Sequence, residues 1–235
     1  MSWSVSIPEH EIYSESQLRE IVASVLSLKT HWLRRQETGV YTLGIASYLD
    51  GLSVRDEAAS VSANNDFLKT HFSETLGILL SFLRSHLGGE VRFSDALPLP
   101  GFHIFDMNAI AIGQTSLRPH FDLQFELWRF PGAVSEVASV TVPIQVPSGG
   151  ASFEYWSVEY EEFQELLRLG TISDLAGVER LYPLHQVWYV PGRPCVQRGL
   201  PLHRIGPSRY VSSSDHRITL QGHAVHLPDG WTAYW

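Results

Sequence analysis

Arg118-Pro119-His120-Phe121-Asp122-Leu123-Gln124-Phe125-Glu126 is the stretch that decides how the rest of the chain is interpreted. Polar and apolar residues alternate from His120 to Trp128, which predicts a strand whose even-numbered side chains share one face. His120 and Asp122 would then present an imidazole and a carboxylate to the same side. With a second histidine they would complete a two-histidine, one-carboxylate metal site that leaves coordination positions open. A solvated strand face would show the same alternation, so the pair alone does not separate the two interpretations.

The third ligand has to come from farther along the chain, where five histidines are candidates: His185, His203, His216, His223 and His226. The residues suggest an iron oxygenase that uses a 2-oxo acid, and such an enzyme needs a cation for the far carboxylate of that acid. No Lys or Arg follows Arg217. His223 and His226 therefore lack a later cation, and His216 has one only as its immediate neighbour.

Two histidine–arginine pairs remain. His203 precedes Arg217 by fourteen residues, and His185 precedes Arg198 by thirteen. The first spacing leaves room for a loop and a returning strand, and the segment 199–205 resembles a strand that delivers a histidine to the mouth of a barrel. We therefore predict His203 as the third ligand and keep His185 with Arg198 as the alternative.

The predicted strand at 217–223 alternates in the same way, with Arg217, Thr219, Gln221 and His223 on one face. A polar row beside a metal can bind an anionic cosubstrate. Arg217 would make a charge-assisted contact with a carboxylate, and Thr219 would add a hydroxyl donor. The plain alternative for Arg217 is a surface arginine in an edge strand.

The periodicity of apolar residues divides the chain into a helical and a β part. Residues 1–90 are predicted to be mainly helical, with helices over 15–35 and 65–86 and a short strand and turn over 41–51. From residue 91, short strands separated by Pro and Gly predict a sandwich or barrel, with a helical insert at about 159–180. The predicted strands cover 102–105, 109–112, 120–128, 138–146, 151–158, 185–190, 197–203, 217–223 and 231–235, and 148–150 is predicted to close a hairpin. We therefore predict one domain over 1–235, in which 1–90 supports a β core at 91–235.

Composition excludes several classes of protein. The chain of 235 residues is 44% hydrophobic and 18% charged, as expected for an ordinary globular protein. Its net charge of −8 argues against a nucleic-acid partner, which requires a basic surface. Cys195 is the only cysteine, so no intrachain disulfide forms, and no apolar run reaches the roughly 18 residues of a membrane span. We expect a cytoplasmic protein that binds a small molecule, and the sequence leaves a homodimer open.

The residues identified so far carry a family resemblance. His120-x-Asp122, His203 and Arg217 together resemble the Fe(II)/2-oxoglutarate-dependent oxygenases, whose fold is a mainly β, cupin-like double-stranded β-helix (jelly roll). This likeness covers roughly residues 90–235. Further segments resemble a branch that acts on free amino acids and includes halogenases and hydroxylases: 41–44 with 47–50, 100–105 and 217–223. The halogenases carry a small residue in place of the carboxylate ligand, so Asp122 favours hydroxylation.

The resemblance implies a reaction and a set of site residues. Iron(II) is expected on His120, Asp122 and His203, with 2-oxoglutarate completing the site through Arg217 and Thr219 and with dioxygen as the oxidant. The expected reaction is hydroxylation of an aliphatic carbon of a small polar substrate, such as a free amino acid or a derivative. The alternatives are desaturation or cyclisation by the same iron chemistry, or a jelly-roll binding module without catalysis.

Substrate contacts are predicted at four residues. His103 precedes the metal motif by one strand and is placed to face the cavity, and Arg55 is placed to bind a substrate carboxylate. Tyr41 and Trp235 are predicted to line a lid. Each has an ordinary alternative. His103 would be a structural histidine and Arg55 a surface cation, and the two aromatic residues would serve only in packing.

Overall fold

The computed structural model of the protein describes residues 3–36, 39–50, 58–106, 109, 118–210 and 212–235, without the side chains of Gln36, Tyr48 and Ala58. In this part of the chain a nine-stranded sheet faces a three-stranded sheet, and helices cover the outer faces of both. The prediction of a mainly β fold with N-terminal helices is confirmed.

The helices are α1 (Glu15–Ser27), α2 (Ser47–Asp50), α3 (Ala58–Leu87), α4 (Tyr160–Arg168) and α5 (Leu175–Leu181). Short 3-10 helices occur at Lys29–His31 and Gln124–Leu127. The strands are β1 (Ser4–Ser6), β2 (Leu33–Gln36), β3 (Val40–Leu43), β4 (Val91–Phe93), β5 (Gly101–Asp106), β6 (Glu136–Gln145), β7 (Ser152–Glu159), β8 (Leu184–Trp188), β9 (Cys195–Arg198), β10 (Pro201–Gly206), β11 (His216–Leu227) and β12 (Gly230–Tyr234).

The large sheet is built around β11, its longest strand. Its order is β1-β9-β6-β11-β5-β3-β2, and β12 pairs with both β11 and β4. These pairings are antiparallel except for β12 with β4. The small sheet has the order β10-β7-β8 and is antiparallel throughout. The chain builds the large sheet up to β6, forms β7 and β8 in the small sheet, and crosses between the sheets again at β9, β10 and β11. Residues distant in sequence therefore meet in the space between the sheets.

Strand alternation gives the large sheet two different faces. Its outer face is apolar and packs against α1 and α3 through residues such as Phe102, Ile104, Val142, Ile218 and Leu220. Its inner face carries the intervening, more polar residues and looks toward the small sheet. The outer face of the small sheet is covered by α4 and α5, which bury Trp156, Val158 and Leu202. Both sheets are therefore anchored from outside, and the inner space is free to hold polar groups.

Several predicted element boundaries are wrong, for identifiable reasons. The helix predicted over 15–35 ends at Ser27, because the chain then turns and 33–36 pairs with β3 instead. The second helix begins at Ala58 and bends at Phe72, whose ring lies 4.7 Å (between centroids) from that of Phe102. Of the strand predicted at 109–112, all but Ala109 lies outside the described residues.

The predicted hairpin at 148–150 is also wrong. Pro147 to Gly150 does form a turn, closed by a 2.8 Å hydrogen bond from the Gly150 amide to the Pro147 carbonyl. However, β6 and β7 on either side belong to different sheets. The strand predicted at 197–203 is likewise two strands in two sheets, β9 and β10, separated at Gly199, whose φ of +77° favours glycine. The pattern of apolar residues marks strands but does not say which sheet each one joins.

Within the described part of the chain, no helix has the length and apolar character needed to cross a membrane.

Two glycines provide a matched test of this packing. A Cβ on Gly101 would overlap the indole of Trp235 and lie 2.8 Å from the Leu43 carbonyl oxygen, whereas a Cβ on Gly77 in α3 would meet nothing within 4 Å. We expect Gly101→Ala to lower the free energy of unfolding by about 1–3 kcal/mol. Gly77→Ala should raise it by about 0.5–1 kcal/mol, since alanine is the better helix former. Urea denaturation measures both, and equal effects of the two changes would contradict the placement of Trp235.

Candidate metal centre and cavity

His120 and His203 are joined by a pair of backbone hydrogen bonds. The amide of His120 donates to the carbonyl of His203 at 2.9 Å, and the amide of His203 donates to the carbonyl of His120 at 3.1 Å. This isolated antiparallel bridge attaches the segment before the 3-10 helix Gln124–Leu127 to β10. It sets the two imidazole rings side by side, with centroids 4.5 Å apart.

Each imidazole is oriented by the backbone two residues earlier. Nδ1 of His120 lies 3.0 Å from the Arg118 carbonyl oxygen, and Nδ1 of His203 lies 3.0 Å from the Pro201 carbonyl oxygen. A carbonyl oxygen only accepts, so Nδ1 carries the proton in both rings and Nε2 is left as a lone-pair donor. Metal-binding histidines are typically oriented by this kind of outer hydrogen bond.

Asp122 completes the group. Its Oδ1 lies 3.6 Å from Nε2 of His203 and 3.9 Å from Nε2 of His120, and the three ligand atoms lie within 4.8 Å of one another. Gln124 Nε2 donates to the same carboxylate oxygen at 3.2 Å. Two imidazole nitrogens and one carboxylate oxygen that converge in this way fit a facial triad with open positions.

The strand predicted at 120–128 is wrong, although His120 and Asp122 still meet. Only His120 pairs with a neighbouring strand; the chain then turns, and 124–127 form a 3-10 helix. Phe121 packs against Tyr160 and Phe163 of the small sheet's helical cover, which turns Asp122 toward the histidines. Asp122 therefore reaches the site from a turn and not by strand alternation.

The neighbours of Asp122 favour its ionised form. Burial by itself would raise the pKa of this carboxyl. His203, His223 and His120 together with a hydrogen bond from Ser139 outweigh burial and hold the pKa well below its usual range. Burial lowers the pKa of His203 to about 4, so this imidazole stays neutral and able to bind a metal near neutral pH.

A cavity of about 170 Å³ opens beside the three ligand atoms, between the two sheets. The polar residues on its walls are Arg35, His103, Gln124, Ser139, Thr141, Gln197, Gln221 and His223, and its apolar wall includes Phe105, Phe153 and Ile205. Arg35 is the only Lys or Arg among the described residues that line it. The metal group and the polar inner face of the large sheet thus share one space.

A hydrogen-bonded chain connects the large sheet to Asp122. Ser139 on β6 lies directly opposite His223 on β11, and its Oγ is 3.0 Å from His223 Nδ1. Because a carboxylate only accepts, the Ser139 hydroxyl donates to Asp122 and His223 Nδ1 donates to Ser139. Gln197 on β9 lies on the other side of Ser139 in the same cross-strand row.

Arg217 lies beside this cavity and not in its wall. Its side chain is buried, and its guanidinium lies 5.1 Å from the centroid of Phe105 and 5.2 Å from that of Tyr189. Among the described residues, Nε and one terminal nitrogen of Arg217 have no hydrogen-bond partner, and the same holds for the hydroxyl of Thr219. The guanidinium borders a separate void of about 10 Å³, room for about one water, and Phe105 and Ile205 line both spaces.

The remaining predicted residues are distributed as follows. His103 lines the cavity, but Trp235 does not: it is buried 5.2 Å from the His103 ring. Tyr41 packs against Trp32 on the helical side of the sheet, so the prediction that it lines a lid is wrong. Arg55 lies outside the described residues.

The alternative ligand pair is not at the site. His185 stacks on the far side of Tyr155 from His203 and hydrogen bonds with Ser157. Arg198 pairs with Glu136. The structure therefore places His203, and not His185, beside His120 and Asp122.

Sequence reasoning missed five of the polar residues that line the cavity: Arg35, Gln124, Ser139, Thr141 and Gln197. Arg35 was hidden by the prediction that 15–35 is one helix. Gln124 stood in the quoted motif but was interpreted as part of a strand face. Alternation around Cys195 could have found Gln197, had the boundary between β9 and β10 been recognised.

No protein-family model matches the chain, and the search of curated proteins also finds no match. Among solved structures, the non-heme alpha ketoglutarate dependent epimerase SnoN from nogalamycin biosynthesis matches 96% of this chain and 80% of its own, at 14% identity and a TM-score of 0.51. The chain has the fold of this epimerase. An N-substituted L-amino acid dioxygenase from Burkholderia ambifaria AMMD matches 92% of this chain and 91% of its own, at 16% identity and a TM-score of 0.41. A Pseudomonas putida prolyl-4-hydroxylase matches 95% and 91%, at 15% identity and a TM-score of 0.45.

His103 should make folding stability depend on pH. Burial, reinforced by the nearby charge of Arg217, lowers the pKa of His103 to about 3 from its ordinary 6.5. As the pH falls below 6.5, the unfolded chain takes up a proton here that the folded chain refuses. The free energy of unfolding should therefore fall by about 1.4 kcal/mol per pH unit from this residue alone.

Urea denaturation between pH 7 and pH 5 measures this dependence. The variant His103→Gln should show a shallower slope than the parent protein. His10→Gln, which replaces an exposed histidine, controls for loss of an imidazole as such. Parallel slopes for the parent and His103→Gln would contradict the burial of His103 as a neutral group.

Proposed function

We propose that the protein is an Fe(II)/2-oxoglutarate-dependent oxygenase that hydroxylates an aliphatic carbon of a small polar substrate, a free amino acid or a derivative. The observation that carries the proposal is the convergence of His120, Asp122 and His203 on one point. Arg217 lies nearby, and two of its guanidinium nitrogens have no hydrogen-bond partner among the described residues. The shared fold with an epimerase described as alpha ketoglutarate dependent adds support. We also propose that the two facing sheets are those of a double-stranded β-helix.

Iron(II) would be held by Nε2 of His120, Nε2 of His203 and a carboxylate oxygen of Asp122. When bound, iron supplies the redox chemistry in which 2-oxoglutarate, dioxygen and a C–H bond become succinate, carbon dioxide and an alcohol. The protein orients both imidazoles through the carbonyls of Arg118 and Pro201. Burial keeps the imidazole of His203 neutral, because it lowers the pKa of that group to about 4. Gln124 and Ser139 hold the carboxylate in place.

The cosubstrate's distal carboxylate is assigned to Arg217. A buried guanidinium with unsatisfied N–H groups is costly, and a carboxylate is the partner that compensates both its charge and its donors. The Thr219 hydroxyl, also buried and without a partner in the described chain, is placed on the same inner face to add a donor. Phe105 and Ile205 border both the void and the cavity, so the carboxylate would reach Arg217 past these side chains.

Arg35 is assigned to a carboxylate of the substrate. Its Nε donates to Thr42 Oγ1 at 2.8 Å, and its two terminal nitrogens donate to Asp50. Within the described residues three of its five N–H groups are thus used, which leaves two for a ligand in the cavity that it lines. Because Asp50 already balances its charge, Arg35 suits a substrate that brings its own positive charge, as a free amino acid does.

Succinate formation tests the reaction class most directly. Protein incubated with iron(II), 2-oxoglutarate and dioxygen should release succinate, whereas a non-catalytic module would release none. Mass spectrometry of a panel of amino acids incubated with the same mixture should detect one gain of an oxygen atom. A loss of two hydrogens instead would indicate desaturation or cyclisation by the same iron chemistry.

Replacement of the carboxylate ligand gives the clearest mutational test. Asp122→Ala should abolish iron-dependent succinate formation and reduce iron content, because two imidazoles alone do not complete the site. Far-UV circular dichroism should stay unchanged, since the side chain comes from a turn. Asp95→Ala, which removes an exposed carboxylate paired only with Lys69, is the control and should retain activity. Full turnover by Asp122→Ala would refute the metal site.

Replacement of Arg217 tests the cosubstrate assignment. Arg217→Ala should raise the KM for 2-oxoglutarate roughly ten- to hundredfold, because a lost charge-assisted hydrogen bond costs about 1.5–3 kcal/mol. The requirement for iron should change little. Arg198→Ala, which removes an arginine paired with Glu136 outside the cavity, should behave like the parent. An unchanged KM in Arg217→Ala would contradict this assignment and would favour Arg35 as the arginine that binds the cosubstrate's distal carboxylate.

A further inference from the structure

Two carboxamide side chains on the cavity wall hold oxygens without partners. Gln124 and Gln197 are 8% and 3% exposed, and both line the cavity. Neither Oε1 has a hydrogen-bond partner within the described ranges, and both atoms are buried. A buried acceptor left unpaired is destabilising, so each oxygen favours a ligand that brings a donor.

The orientation of the Gln124 amide follows from its neighbour. Gln124 Nε2 faces Asp122 Oδ1 at 3.2 Å, and a carboxylate cannot donate. The nitrogen must therefore be on this side, which leaves Oε1 as the free acceptor. The metal-site carboxylate thus has an acceptor beside it on the cavity wall.

Gln197 lies close to the same point from the large sheet. It is directly opposite Ser139 on the neighbouring strand, and Ser139 hydrogen bonds with Asp122. Opposite residues of an antiparallel pair have Cβ atoms about 4.5–5.5 Å apart. The two carboxamides therefore flank Asp122, one from the turn that carries it and one from the sheet.

This part of the wall presents hydrogen-bond acceptors. Both free carboxamide atoms are oxygens, and the one cation of the described cavity lining, Arg35, is balanced by Asp50. Arg35 is also tied to Thr42 on β3, four strands away from β9, which carries Gln197. A ligand group at the carboxamides thus meets acceptors, whereas a group at Arg35 meets donors.

We propose that Gln124 and Gln197 form the subsite that binds the amino group of the substrate, and that they select an ammonium with N–H donors. The inference rests on the proposed function and narrows its substrate class. The substrate is then a zwitterion whose ammonium lies beside the metal ligands and whose carboxylate extends toward Arg35. Hydrogen bonds from the ammonium satisfy the two oxygens that the folded protein leaves unpaired.

Binding to the loaded protein tests the subsite without turnover. Protein with iron(II) and 2-oxoglutarate is titrated calorimetrically, without oxygen, with each of the twenty common L-amino acids. The tightest binder is then compared with its N,N,N-trimethyl derivative, which keeps the charge and has no N–H. In the parent protein, trimethylation should weaken binding about tenfold or more, as expected for lost hydrogen bonds to a charged donor.

Gln197 is the cleaner residue to change, because Gln124 also supports Asp122. Gln197→Leu should weaken binding of the amino acid about tenfold or more and leave binding of the trimethyl derivative almost unaffected. The effects of the substitution and of trimethylation would then not add, as expected if both remove the same hydrogen bond. Gln197→Glu keeps an acceptor and should bind the amino acid as well as the parent. Gln145→Leu is the matched control, because its Oε1 is also buried without a partner in the described chain but does not line the cavity.

Each outcome separates this inference from the proposed function. Unchanged binding in Gln197→Leu, equal weakening of both ligands, or no binding of any of the twenty amino acids overturns the amino-group subsite. Substrate-free succinate formation by the parent protein is measured in parallel. If that succinate is absent, the oxygenase assignment fails; if it is present while the Gln197 results are negative, only the subsite fails.

Discussion

The backbone pairing between His120 and His203 is the interaction on which the candidate site depends. Two hydrogen bonds attach a segment without regular strand structure to the edge of the small sheet. They bring together imidazoles that are 83 residues apart in sequence. Each ring is then turned by a carbonyl two residues upstream, so the same short backbone geometry is used twice. The arrangement of the two imidazoles is thus built mainly from main-chain hydrogen bonds, whereas Asp122 is positioned by side chains.

The site also requires the two faces of the large sheet to differ. Apolar residues on its outer face pack against α1 and α3, while Ser139, Gln197, Gln221 and His223 occupy the inner face. Burying polar groups costs little free energy where they hydrogen bond with one another, as Ser139 does with His223. The remaining cost would be offset by a bound ligand. The helices stabilise the sheet from outside, so the inner face does not need to be a hydrophobic core.

The sequence was enough to predict most of the residues that could carry the chemistry. It was not enough to predict the turns and strand pairings that bring them together. Residue types and spacing were enough to predict His120, Asp122, His203 and Arg217 as site residues. Polar groups of these kinds are rare in a β core unless a metal, a ligand or one another binds them. Alternation of polar and apolar residues misled at 120–128, since a turn that packs Phe121 against α4 produces the same pattern as a strand. Sheet membership was also out of reach, because it depends on long-range pairing that local periodicity does not encode. The cavity wall was missed for that reason.

The crossing at Gly199 has a consequence for the size of the cavity. Gln197 belongs to the large sheet and His203 to the small one, and only five residues of chain lie between them. This stretch of backbone acts as a covalent spacer between the two walls, with a length that side-chain rearrangement cannot alter. Beside His203 the two walls cannot separate by more than this stretch of chain can span without breaking the pairing of β9 or β10.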